Sequence, residues 1–316
     1  MTSFKQERIQ KVLAQLGVAS RRTIESWIQE GKISVNGTKA TLGQPIGPHD
    51  RVQVSGKTIP LRNYGELPTR VLMYYKPEGE VCSHQAMEEC PSVFAALPHM
   101  KDGKWVMIGR LDVNSMGLLL FTNNGQLAHS MMHPRFQVPR KYVVRTLGKV
   151  TDEHIENMKM GVLFEEGLFK FDEFIVHPDR TGVNQWFTVT LHQGHYREVR
   201  RLFESQGVTV NRLSRIQFGD VMLPRELRRG KWQELSEMAV KRLMKRYVNV
   251  PVGEERLVDE QAPGKTVYAG RNSRSAFKDK SVDPSSFTGK TLHNPLAGKK
   301  KTGQGSKKTR IPVSFR

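Results

Sequence analysis

Leu118-Leu119-Leu120-Phe121 is an apolar run without polar alternation, opened by Gly117 and followed at once by the turn residues Asn123-Asn124-Gly125. A short run of this kind bounded by turn residues is the pattern of a buried strand, and it puts a sheet at the centre of the fold. Just ahead of it stands Gly109-Arg110-Leu111-Asp112, a single acid between an Arg and that strand. Gly117 lets the backbone bend, so the Asp112 carboxylate is expected at the rim of the sheet in a cationic neighbourhood, ionised and aimed. The same residues also fit an ordinary turn, because Asp before a polar Asn114-Ser115 pair is a common turn composition. The rest of the chain has to decide between the two.

The chain has 316 residues, which suits two ordered domains plus extras. Lys and Arg number 50 against 31 Asp and Glu, a formal charge of +19, which points to a polyanionic partner. Nucleic acid leads and an acidic membrane surface is second. There is no run of eighteen apolar residues, and Met1-Thr2-Ser3-Phe4-Lys5-Gln6-Glu7 lacks the apolar core of a signal peptide, so a cytoplasmic protein is expected. Cys82 and Cys90 are the only cysteines. They support neither a disulfide framework nor a zinc ribbon and read as structural thiols.

Residues 7–62 read as a small module. Ile9, Val12, Leu13 and Leu16 fall at helical spacing and Gly17 ends the helix; Ser20 can cap a second, carrying Ile24, Trp27 and Ile28. The period then switches to two in Ile33-Ser34-Val35, turns at Asn36-Gly37, and returns in Arg51-Val52-Gln53-Val54. The stretch KVLAQLGVASRRTIESWIQEGKISVNG resembles the S4 RNA-binding module. The resemblance implies a helical face that holds RNA phosphates, with Lys11, Arg21, Arg22 and Lys32 on or near it.

A polar connector from Pro60 to Thr69 marks the domain boundary. In the second domain, residues 69–250, strands are expected at 70–75, 105–108, 141–145, 171–176, 184–192 and 216–223. Helices are expected at 126–132, with Leu127 and Met131 inward, at 151–160, capped by Thr151 and closed by Gly161, and at 198–205, with Val199, Leu202 and Phe203 inward. Strands alternating irregularly with few helices argue an α+β fold with a mixed, mostly antiparallel sheet. Residues 254–316 carry 14 Lys or Arg against 6 Asp or Glu. With few apolar residues this stretch is expected to be a disordered basic tail that meets RNA phosphates through Lys299-Lys300-Lys301, Lys307, Lys308 and Arg310.

No Gly-rich phosphate loop is present, and no His pair accompanies a carboxylate at metal spacing; His129 and His133 lack the intervening Glu of a zinc protease. No metal or cofactor is therefore expected. GRLDVNSMGLLLFTNNGQLAHSMMHP and RKYVV resemble the bacterial pseudouridine synthases that contain an S4 module and modify ribosomal RNA. YYKPEGEVCS and VNRLSRIQFGDVMLPRELRRGKWQEL are similar to one large-subunit branch of that family. Tyr196 and Glu198 depart from that branch, which more often has Asn and Gln there; Tyr is frequent in the small-subunit enzyme.

The resemblance implies that Asp112 carries the chemistry, either by attacking the sugar or by assisting proton removal from it, and the sequence leaves both routes open. It further implies that Tyr142 stacks on the uracil and helps remove the C5 proton, that Arg200 pairs with Asp112, that Leu223 walls the base pocket and that Arg110 meets the flipped nucleotide. Arg197 and Arg201, in the same basic segment as Arg200, are expected to face RNA. The implied partner is ribosomal RNA, 23S ahead of 16S, bound by a monomer. The competing reading is a non-catalytic S4-type assembly factor, which would have no use for Asp112, Tyr142 and Arg200 arriving together on separate elements.

Overall fold

The computed structural model describes residues 6–61, 67–100, 103–178 and 184–249. The middle of the expected connector, 62–66, and the expected tail, 254–316, lie outside them. In the N-terminal part, strand β1 (Glu7–Arg8) runs into helix α1 (Ile9–Gln15), and Gly17, at φ +82°, turns the chain away from it. Helix α2 (Arg21–Gln29) starts where Ser20 accepts the Thr23 N–H at 3.1 Å, the cap its sequence offered. Strand β2 (Ile33–Val35) turns through Asn36-Gly37, both at positive φ, into β3 (Thr38–Lys39). Strand β4 (Pro45–Ile46) pairs with β1, and β5 (Val52–Val54) and β6 (Lys57–Ile59) complete a four-stranded sheet in the order β3-β2-β5-β6. Ile9, Leu13, Ile24, Ile33 and Val52 form a core of their own.

The second part contains β7 (Val71–Lys76), β8 (Val106–Ile108), β9 (Met116–Thr122), α3 (Gly125–Met132), β10 (Arg140–Leu147), α4 (Asp152–Met160), and a hairpin of β11 (Val162–Phe164) and β12 (Gly167–Phe169). It continues with β13 (Glu173–His177), β14 (Asn184–Leu191), α5 (Glu198–Glu204), β15 (Thr209–Phe218), β16 (Val221–Met222), β17 (Trp232–Glu234) and α6 (Glu237–Tyr247). Nine of these strands form one sheet in the order β13-β14-β10-β15-β9-β7-β17, with β16 on β15 and β8 on β9. Only the β15–β9 pair is parallel, so the sheet is mixed and mostly antiparallel.

The unbroken apolar run of β9 follows from its place in this sheet. Leu118 and Leu120 pack with Val71, Met73 and Tyr75 on one face, whereas Leu119 and Phe121 pack with Leu72, Tyr74 and Trp105 on the other. Neither face meets water, so alternation has no value; each buried side chain contributes roughly 1.5 to 3 kcal/mol. At the strand's entrance Gly117, at φ +109°, lies against β15: a Cβ there would sit 2.3 Å from the Arg215 carbonyl oxygen. The three nearest atoms are all Arg215 backbone, which has no flexible side chain to yield. Gly117→Ala is therefore expected to lower stability by on the order of 3 kcal/mol, read as a fall in the denaturation midpoint at unchanged m-value.

The sequence reading needs correction near the end of the sheet. The strand expected over 216–223 is the last part of β15 followed by the separate β16, because Gly219 at φ +56° and Asp220 make a tight reversal. The β11–β12 hairpin, β17 and α6 were not anticipated. Helix α6 is capped by Ser236 and buries Ala239, Val240, Leu243 and Tyr247 on the core that holds Leu118 and Leu120. Among the described residues no helix is long and apolar enough to cross a membrane.

Candidate active site

Asp112 stands in the loop 109–115 between β8 and β9, at the end of the sheet. The turn reading of this acid is also true, since the Ser115 N–H donates to the Asp112 carbonyl at 3.0 Å. What sets the loop apart is that three buried cations hold it by its backbone. Lys76, fully buried at the end of β7, donates from Nζ to the carbonyls of Asp112 (3.1 Å), Val113 (3.4 Å) and Ser115 (2.9 Å). Arg215 of β15 donates to Leu118 O at 2.8 Å and reaches Arg110 O at 3.5 Å. Arg200 of α5 donates to Asn114 O at 2.8 Å and, from its other terminal nitrogen, to Val210 O at 2.7 Å.

These bonds fix the loop without using its carboxylate. The Asp112 side chain stays 32% exposed, and the group closest to it in charge is Arg200, whose Nε lies 4.0 Å from Oδ2. That Nε is buried and has no hydrogen-bond partner, so it faces the carboxylate with its proton uncommitted. Burial lowers the Arg200 pKa more than the nearby Asp112 raises it, so the guanidinium is held by geometry at some cost in solvation. Helix α5 supplies that geometry. Its N-cap, Arg197, adopts φ +50°, and its first turn buries Glu198, Val199 and Arg200 together. Burial also pushes the Glu198 carboxyl above its usual range while one oxygen accepts the His195 N–H.

Tyr142 lies on β10 opposite Arg215 of β15 and Val189 of β14. It is 8% exposed and packs in the same apolar cluster as Leu111, the residue preceding Asp112. Asp112 and Arg200 therefore meet from a loop and a helix, and Tyr142 on β10 shares an apolar cluster with Leu111. Arg110 is exposed and contributes its carbonyl to Arg215. Leu223 is half-buried and packs on the other face, with the cluster of Tyr75, Ile108 and Phe218, not with Tyr142. Of the residues expected to face RNA, Arg21 and Arg22 are exposed at the start of α2. Lys11 pairs with Glu7 at 2.6 Å, Lys32 with Glu30 at 2.5 Å and Arg197 with Glu204 at 3.2 Å. Arg201 makes a two-point pair with Glu166 at 2.9 Å and covers the rings of Phe164 and Phe169, which ties the β11–β12 hairpin to α5. Exposed pairs of this kind are worth little, so they do not hold these cations away from a phosphate.

Lys76 and Arg215 were missed by sequence reasoning. The available signal was a cation inside an otherwise apolar strand: Lys76 closes Val71–Tyr75, and Arg215 interrupts Leu213 to Phe218. A buried charge in such a place needs partners, and the loop carbonyls are those partners. Among the described residues no group of three or more His, Cys, Asp or Glu is placed to hold a metal ion. His192 instead meets Asp172 at 2.8 Å, and His129 and His133 stand ring to ring at 5.2 Å.

Residues 70–205 match the family described as RNA pseudouridylate synthase, and residues 7–52 match the S4 domain. The chain is 41% identical over 285 residues to ribosomal large subunit pseudouridine synthase B of Shigella flexneri, covering 90% of this chain and 98% of that protein. The chain belongs to the RNA pseudouridylate synthase family. A Pseudomonas aeruginosa protein, also called ribosomal large subunit pseudouridine synthase B, is 46% identical over 234 residues, 74% of this synthase and 61% of the relative's length. A Pasteurella multocida protein of that name is 43% identical over 267 residues, 84% of this chain and 77% of that one. A crystal structure of a pseudouridylate synthase superposes with a TM-score of 0.52 at 24% identity, covering 75% of this chain and 99% of that one, and so shares the fold.

In this synthase the loop depends on Lys76. Lys76→Met keeps an unbranched side chain of similar length but leaves three loop carbonyls without their donor. Buried acceptors left unpaired cost about 1 to 3 kcal/mol each when nothing replaces the donor, and a looser loop misplaces Asp112. The expected result is a folded protein whose kcat falls by at least about tenfold, with a lower melting temperature. Circular dichroism melts and a tritium-release assay on uridine-labelled RNA would read both.

Proposed function

We propose that the chain isomerises a specific uridine to pseudouridine in 23S ribosomal RNA, with Asp112 as the essential catalytic carboxylate. The observation that carries this reading is the Asp112 loop itself: its carbonyls are occupied by Lys76, Arg200 and Arg215, while the carboxylate is left partly open and faced by the uncommitted Arg200 Nε. A structural turn has no need of three buried cations, whereas a carboxylate that must meet a ribose in one orientation does. The reaction breaks the bond from N1 to C1′, turns the uracil, joins C5 to C1′, and moves one proton from C5 to N1. No electron is gained or lost. Asp112 either bonds to the sugar or takes part in deprotonating it; Arg200 orients it as an anion; Tyr142 stacks on the uracil and helps remove the C5 proton.

Arg110, exposed in the loop, meets the backbone of the extruded nucleotide. Leu223, packed on the cluster of Tyr75, Ile108 and Phe218, is assigned to the wall of the base pocket. Residues 7–62 act as the S4 module and 69–250 as the catalytic domain, supported by their separate apolar cores. The names of the relatives support large-subunit RNA as the substrate. The charge of +19 and the lack of a long apolar run in the sequence support a cytoplasmic monomer working on that RNA. The reading is tested by mapping pseudouridines in ribosomal RNA from cells with and without the gene: one uridine of 23S RNA should lose its modification and regain it on complementation. An unchanged map would overturn it.

A further inference from the structure

The far end of β9 from the Asp112 loop carries a cleft of about 940 Å³ whose walls come from both parts of the chain. Helices α1 and α2 form one wall, and the start of β8, the end of β9 and α3 form the other. The two walls approach backbone to backbone. A Cβ on Gly17 would lie 2.8 Å from the Gly103 carbonyl oxygen, and one on Gly103 would lie 3.1 Å from Gln15 O, with both glycines at positive φ. No larger residue fits at Gly17 without prising the walls apart, so the cleft is a built feature of this fold.

Its lining combines excess positive charge with aromatic surface. Among the described residues, Lys11, Arg21 and Lys104 face it together with one carboxylate, Glu7, which Lys11 already pairs at 2.6 Å. That leaves Arg21 on the α2 wall and Lys104 on the opposite wall. Between them His84, itself exposed, stacks on Phe94 at 3.8 Å with the ring planes 18° apart. Burial and the nearby Lys104 push the His84 pKa down, and burial with His133, Arg135 and Arg21 does the same to His129, so both rings present neutral faces near pH 7. Two cations flanking a stack that can be extended suit a chain that alternates phosphates and flat bases. A duplex keeps its base faces hidden and would not reach His84.

We propose that this cleft is a second RNA site, which takes a single-stranded segment of the substrate flanking the target uridine. One base extends the His84–Phe94 stack, and the adjoining phosphates lie on Lys104 and Arg21. The proposal rests on the reading of the chain as a ribosomal RNA synthase and adds a contact outside the Asp112 loop. Cys82, Ser83 and His84 link the two places, since Cys82 Sγ accepts the Leu111 N–H at 3.4 Å and all three residues line the cleft.

The test uses the full chain and a 23S RNA fragment containing the target. Lys104→Glu reverses one charge, and Gln126→Trp, at an exposed position of α3 lining the cleft, fills it without changing charge. Each is expected to raise KM for the fragment about tenfold, with kcat at saturating RNA within about twofold of the parent. A thiouridine-substituted fragment should crosslink to peptides containing His84 or Lys104 in the parent and lose those crosslinks in both variants. Unchanged KM in both variants, or a parent whose crosslinks avoid these peptides, would overturn the cleft site while leaving the activity in place. A parent that converts no uridine would instead overturn the activity, and the crosslinks would still report on the cleft.

Discussion

Asp112→Asn is expected to abolish pseudouridine formation, with turnover down by at least about a thousandfold, or roughly 4 kcal/mol of lost transition-state stabilisation. The fold should survive the change. Asn has the shape of Asp, and the bonds that secure this residue go to its carbonyl from Lys76 and Ser115, not to its side chain. The charge removed is 32% exposed and 4.0 Å from its cation, so its contribution to stability is small and its removal leaves Arg200 still tied to two carbonyls. A melting temperature within about 2 °C of the parent, normal RNA affinity and no detectable product is the expected pattern. A variant that keeps a tenth or more of the parent rate would remove Asp112 from the chemistry. Because the alternative, a non-catalytic S4-type factor, predicts no product from the parent protein either, the parent assay is the control that separates the two.

Arg200→Ala should damage stability and activity together, and the structure shows which interaction dominates. The ion pair with Asp112 is long and one partner is partly solvated, so the attraction is largely offset by the desolvation of the guanidinium. The bonds to Val210 O and Asn114 O, at 2.7 and 2.8 Å, are short, the first buried and the second partly so. Removing the side chain leaves both carbonyls and the void it filled, for a loss of roughly 2 to 5 kcal/mol in unfolding free energy. Activity should fall by about a hundredfold as Asp112 loses its orienting cation. Arg200→Lys divides the two effects: one ammonium can serve one carbonyl and preserve the charge, yet it lacks the fork that reaches Asn114, Val210 and Asp112 at once. It should recover part of the stability and little of the rate. An Arg200→Ala protein with parental melting and parental turnover would show that this arginine neither holds the loop nor orients the acid.

Much of the local structure was legible because it is encoded locally. Ser20 and Thr151 cap their helices with side-chain oxygens a few residues away, Asn36-Gly37 makes its hairpin turn with two positive φ angles, and Leu127, Met131, Leu202 and Phe203 face inward at helical spacing. Each of these depends on residues close in the chain, so a linear reading captures it. The run of β9 was legible for the opposite reason: burial on both faces erases alternation, and only a central strand is buried that way. The boundary at Gly219 was not, because a Gly inside an apolar stretch is compatible with both a continuous strand and a reversal, and contact with Tyr247 of α6 accompanies the reversal chosen.

The sequence by itself singled out Asp112, the family pattern around it and the basic character of the whole. Only the tertiary structure decided how the acid is held. Lys76, Arg200 and Arg215 reach the 109–115 loop from positions 36, 86 and 105 residues away or comparably distant, and a charge becomes a loop staple only when burial denies it water and a carbonyl is the acceptor left within reach. Arg201, which the sequence offers as a cation for RNA, also meets Glu166 and two rings in the fold. Spacing along the chain states which residues are charged; which of those charges remain for a substrate is settled by the neighbours that folding brings to them.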